Sequence, residues 1–89
     1  MLTLPATLTQ SQAQATLAGL LAALPQEGAQ VVVVDASALT EFDSAALAVL
    51  LALRRACSAA GQTLVCDRLT PRLSELAALY GISELITPA

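Results

Sequence analysis

A chain of 89 residues with 56% hydrophobic and 12% charged side chains fits one domain around one core and excludes disorder. A net charge of −3, four basic residues, one Phe, one Tyr and no Trp exclude a surface that neutralises phosphates or stacks bases, and with it nucleic acid as a partner. The longest apolar run, Ala45 to Leu53, is far short of the about 20 residues of a membrane-spanning helix, so the surplus of apolar side chains is expected to face a protein partner.

Met1 to Leu8 reads as a strand, with Pro5 marking it as an edge or bulged one. Thr9 and Gln12 have the spacing of a capping box. They open a helix that places Ala13, Leu17, Leu20, Leu21 and Leu24 on one face and ends at Pro25 and Gly28. Val31 to Val34 is an unbroken β-branched run between turn-formers, the pattern of a strand covered on both faces. Asp35 to Asp43 is a loop, or a loop with one short turn. A helix from about Ser44 to Ala60 follows, with Gly61 placed to end it in a left-handed conformation.

Thr63 to Cys66 is a further strand. Thr70 and Pro71 form an N-cap and first-turn pair for a third helix, with Leu73, Leu76, Ala77 and Tyr80 on one face before Gly81. Ile82 to Thr87 closes the chain as a short extended segment. Strands separated by helical segments predict an α/β fold: a parallel or mixed sheet of about four strands with helices packed against it.

The helix from Ser44 carries most of the functional signal. Ala46, Val49, Leu50, Leu53, Cys57 and Ala60 share a broad face suited to the sheet. The opposite side carries Ser44, Leu47, Ala48, Leu51, Arg55 and Ser58, with Arg54 at its margin. Two leucines one turn apart, below a serine and rimmed by arginine, suit a small protein interface; burial of each contributes about 1.5–3 kcal/mol. The competing reading is that a loop or the C-terminal segment covers Leu47 and Leu51.

Ser44 also has two readings. A serine after aspartate at a helix start is ordinarily a cap, and Asp43 is an alternative cap. As a phosphoacceptor, Ser44 would carry its phosphate at a favourable helix N-terminus but beside Asp43 and Glu41, which suits a switch that ejects a partner.

Catalysis has little to work with. The chain has no lysine and no histidine, which removes the general base of neutral pH. No phosphate-cradling glycine loop is present, and Asp35 stands at a strand end without the second acidic cluster that would hold Mg²⁺. Asp35 and Asp43 are expected to shape the loop by accepting nearby backbone N–H bonds. Cys57 and Cys66 form no CxxC and read as two reduced thiols in a core, so no metal and no cofactor are expected.

The segment VVVVDASALTEFDSAALAVLLALRRACSAAG resembles the central signature of the STAS domain family, the fold of the anti-sigma factor antagonists. There a strand ends in Asp (Asp35 here), a loop leads to an Asp-Ser or Asp-Thr pair (Asp43–Ser44), and an apolar helix follows. TLVCDRLTPRLSELAALYGISELI continues the match, so the resemblance covers nearly the whole chain as a single domain, residues 1–89, with the family's usual N-terminal strand expected to be missing. LAALYGISELI is similar to the STAS subunits of Mla-type ABC phospholipid transporters. That resemblance implies a non-catalytic accessory subunit, cytoplasmic at the inner face of the inner membrane, bound to the transporter ATPase and through it to the permease, in a system that keeps outer-membrane lipid asymmetric.

On that reading Ser44, Leu47, Ala48, Leu51 and Arg55 form the contact. The alternative is an anti-sigma factor antagonist switched by phosphorylation of Ser44. Ala45–Ala46 stand where such proteins commonly have Ser-Gly or Gly-Gly, which counts against it. No insertion into the membrane is expected, and an edge strand with surplus apolar surface suits a homodimer of the isolated chain.

Overall fold

The computed structural model describes residues 2–27 and 31–82. The elements in chain order are β1 (Leu2–Thr3), β2 (Thr7–Leu8), α1 (Gln10–Glu27), β3 (Val31–Asp35), β4 (Glu41–Phe42), α2 (Ser44–Ala59), β5 (Thr63–Asp67) and α3 (Pro71–Leu79). A three-stranded sheet in the order β1-β3-β5 and a two-strand ladder of β2 with β4 are both parallel. This is the expected α/β class. The final extended segment expected at Ile82 to Thr87 lies, beyond Ile82, outside the described residues.

The first expected strand is broken in two. Pro5 has no N–H to give a ladder, and the chain changes partner around it. The Leu4 N–H donates to the Asp35 carbonyl at 3.0 Å, whereas the Ala6 carbonyl accepts from the N–H groups of Thr40 and Glu41 at 2.9 and 3.0 Å. Thus β1 forms one edge of the sheet, and β2 pairs with β4, a short strand inside the stretch Asp35–Asp43 that is expected to be a loop. The helix α1 ends at Glu27, two residues past Pro25 and directly before Gly28, within the stop expected from that pair.

The Val31–Val34 run is not sealed on both faces. Paired residues of a parallel ladder share a face, and Val32, Val34 and Cys66 are buried on the side where α2 meets β5. On the other face Val31 is 52% exposed, with Val33 and Val65 half-buried. The β-branched run thus reports strand propensity, not two-sided burial.

Helix ends follow local chemistry. The Gln12 side chain accepts from the Thr9 N–H at 2.9 Å and from its hydroxyl at 2.7 Å. Thr70 caps α3 by accepting from the Leu73 N–H at 3.2 Å. Both α2 and α3 end with glycine in the left-handed region, Gly61 at φ 75° and Gly81 at φ 72°. Each is closed by the paired bonds of a Schellman motif: Gln62 N–H to Cys57 and Gly61 N–H to Ser58, then Ile82 N–H to Ala77 and Gly81 N–H to Ala78. Tyr80 is the C-cap of α3, with its N–H still bonded to the Leu76 carbonyl; at the helix end it is 56% exposed and does not join Leu73 and Ala77 in the core.

Candidate partner-binding face

The start of α2 is held by Asp43, whose extended backbone (φ −130°) and carboxylate make it the N-cap; one oxygen accepts from the Ala45 N–H at 2.8 Å. The other accepts from the Gln10 N–H at the start of α1, at 3.3 Å. Ser44 is thereby the first helical residue and not the cap, and it is exposed. Of the two readings of the Asp43–Ser44 pair, the cap belongs to Asp43.

Ala48 and Arg55 are also exposed, on the same side of α2 as Ser44. Arg55 lies eleven residues along from Ser44, about 16 Å at 1.5 Å per residue. The leucines between them differ from expectation. Leu51 is half-buried and packs against the core, while Leu47 is only 2% exposed. Helices flank α2 on both sides: α1 lies along it, Ala13 near Ala48 and Leu24 near Ala56, and α3 stands across a groove from Ser44. Leu47, at the margin of the sheet-facing stripe, joins the buried cluster that holds Leu73 and Ala77. The exposed leucine pair does not exist; the accessible part of the expected face is Ser44, Ala48 and Arg55.

Ser44 stands on a ridge between two grooves. On the α1 side a shallow cleft of about 410 Å³ is lined by Gln10, Ala13, Gln14, Ser44, Ala45 and Ala48. On the α3 side a groove of about 630 Å³ runs between Phe42, Asp43 and Ser44 and the α3 residues Arg72, Glu75, Leu76, Leu79 and Tyr80. The Arg72 guanidinium lies 5.2 Å from the centroid of the Phe42 ring, within cation–π range. Leu79 is 81% exposed. The expected face lies on α2 alone, without these α3 residues; the signal for them in the sequence is the one-turn spacing of Arg72, Leu76 and Leu79.

Asp35 accepts from the Ser37 N–H at 2.9 Å. The backbone and side-chain bonds of Ser37 hold its carboxyl below the ordinary 3.8, against the opposing effect of burial and with a lesser contribution from nearby Arg68. Asp35 thus shapes the turn after β3. Cys57 and Cys66 are free and buried. Burial pushes both thiols up, Cys66 to about 11. Among the described residues no group of three or more His, Cys, Asp or Glu is placed to hold a metal, and no helix is long and apolar enough to cross a membrane.

A parallel sheet whose strand β3 ends in Asp35 and leads through a turn to an Asp-capped, serine-initiated apolar helix defines a STAS-type domain, a class that is generally non-catalytic. The chain belongs to the STAS domain family: the family model described as "Mlab, STAS domain" matches residues 1–87. No match is found among curated proteins.

Proposed function

We propose that this STAS domain is a non-catalytic subunit that binds and stabilises or regulates the cytoplasmic ATPase of an Mla-type ABC phospholipid transporter, in a cell that keeps its outer-membrane lipids asymmetric. The MlaB-type family match supports the assignment. One structural observation carries the docking mechanism: Asp43 does the capping, so Ser44 is presented on a ridge with Ala48 and Arg55. A rigid helix offering a small serine, an alanine and a terminal arginine lets a partner approach the backbone closely and still find a cation for orientation.

The same observation supports one other reading. A serine relieved of capping is accessible to a kinase, as an anti-sigma factor antagonist requires. Capture of the tagged chain from its native host, with mass spectrometry of partners and of Ser44, separates the two. An ABC ATPase with its permease and unmodified Ser44 is the expected outcome. A serine kinase with phosphate on Ser44 would assign partner-switching instead. Ala48→Arg, which adds bulk to the ridge without touching the core, is expected to abolish ATPase capture while leaving the folded domain intact.

A further inference from the structure

We propose that the Ser44–Arg55 ridge of α2 is also the seam of a homodimer: two copies of this chain pack with their α2 helices antiparallel across a two-fold axis, so that the free domain keeps its docking ridge covered. That the covered surface is a docking ridge rests on the reading above; the seam itself does not.

The spacing of the ridge is self-complementary. Ser44, Ala48, Leu51 and Arg55 follow one another at four, three and four residues along one side of α2, the step by which one helix packs into another. The series reads the same in both directions. A two-fold axis between Ala48 and Leu51 therefore sets Ala48 against the second copy's Leu51, and Arg55 against its Ser44. At both central contacts a small exposed side chain lies opposite a half-buried leucine, whose free part fills the space above it.

The charges select a second copy and its direction. Arg54 and Arg55 are exposed and stand before the last turn of α2, a helix with no acidic residue. Neither a neighbour one turn away nor the C-terminal dipole answers them. At the other end Glu41 is exposed. The N-termini of α1 and α2 amount there to about one positive charge, which the Asp43 carboxylate offsets through its bonds to Gln10 and Ala45. Arg72 and Glu75 across the groove cancel each other, so Glu41 is left over. An antiparallel seam brings the cationic end of each copy to the anionic end of the other, twice over. A parallel seam would set Arg55 against Arg55 and Glu41 against Glu41.

The same axis lays the two α1 helices against one another, and nothing on them opposes the contact. α1 runs along α2 with Gln14 beside Ala48 at one end and Leu21, 36% exposed, beside Ala56 at the other, and residues 10–24 carry no charge. Helices of 18 and 16 residues lie side by side. They present a face of about 25 Å by 20 Å, about 500 Å² per copy and about 1,000 Å² for the pair, the size of a weak, reversible association. A seam of that strength yields to a tighter partner, as a covered docking ridge must.

Sedimentation of the purified domain over a range of concentrations tests the seam, with thermal unfolding of each variant checked in parallel. Wild type is expected to pass reversibly from monomer to dimer. Arg55→Glu and Glu41→Arg should each raise the dissociation constant at least about tenfold, and Ala48→Arg should leave a monomer. The double variant Glu41→Arg, Arg55→Glu should regain the dimer, because its exchanged ends match again. Thr63→Glu, on the exposed start of β5, should leave dimerisation unchanged. A domain that stays monomeric at every concentration overturns the proposal. So does a dimer indifferent to Arg55→Glu and Ala48→Arg, or a double variant no better than the single ones. Purified ATPase of the same host should split the wild-type dimer as it binds; an ATPase that takes up the intact dimer overturns the covered ridge. A monomer that binds ATPase sinks the seam and leaves the docking reading standing, whereas a dimer with these variant responses beside an ATPase that does not bind supports the seam and sinks the docking reading.

Discussion

The carboxylate of Asp43 reaches the N–H of Gln10, thirty-three residues earlier, while its other oxygen caps its own helix at Ala45. One side chain thus closes the N-termini of α1 and α2. Both helix ends carry partial positive charge from unpaired N–H groups, and the shared anion ties them together at the sheet end where Ser44 emerges. The relation fixes how α1 lies beside α2, and so fixes one wall of the Ser44 ridge.

Asp43→Ala should therefore cost more than an ordinary cap. Loss of an N-cap costs about 1 kcal/mol, and the additional, longer bond to Gln10 raises the expected loss to about 2 kcal/mol. Asp43→Asn keeps acceptor oxygen for Ala45 and should lose about half as much. Urea unfolding of both variants measures this. An Asp43→Ala midpoint equal to wild type would mean that the contact with α1 contributes nothing and that the ridge is held by packing alone.

Leu47 and Leu51 should separate by stability. Leu47 is sealed in the core and Leu51 is half-buried, so Leu47→Ala is expected to lose about 2–4 kcal/mol and Leu51→Ala about 1 kcal/mol. Denaturant titrations check the ranking. Equal small losses would return Leu47 to the surface and restore the leucine pair as an interface.

What was legible in the sequence was chemistry that acts within a few residues. The Thr9–Gln12 box, the Thr70–Pro71 start and the glycine stops at Gly61 and Gly81 all stand where their local bonds require. Periodicity gave the direction of the α2 core face, through Val49, Leu50 and Leu53. It does not give that face's width: Leu47, at its margin, is 2% exposed and belongs to the buried cluster. The groove was harder still. Phe42 and Arg72 are thirty residues apart, and nothing local connects a strand residue to the first turn of a later helix. The helical period runs through Tyr80, whose N–H still bonds to Leu76, but the period does not show that the helix end leaves the ring 56% exposed.

The glycines permit a prediction of opposite signs. Built-in Cβ atoms at Gly19, Gly61 and Gly81 meet no atom within 4 Å, so backbone conformation alone decides. Gly19 lies inside α1, and Gly19→Ala should add about 0.5–1 kcal/mol through helix propensity. Gly61 and Gly81 have positive φ, and alanine at either should cost about 1 kcal/mol. Arg68 occupies the same region at φ 58°, so Arg68→Gly should be neutral or slightly stabilising. Thermal unfolding of the four single variants is the check; a destabilised Gly19→Ala domain would show that α1 departs from regular helix there.

Cys66 makes stability fall at alkaline pH. Desolvation raises its thiol from the ordinary 9.0 to about 11, so the folded state keeps the proton longer than the unfolded chain does. Between those values the unfolded chain binds fewer protons, and stability declines as pH rises. The contribution is fully present below pH about 9 and lost progressively up to about 11, on the order of 3 kcal/mol in all. Cys66→Ala should flatten that part of the profile while lowering stability near neutrality through the cavity it leaves. Urea unfolding at a series of pH values from 7 to 11, in reductant, reads both effects. A wild-type profile that stays level across pH 9 to 11 would mean that water reaches the Cys66 thiolate in the folded domain.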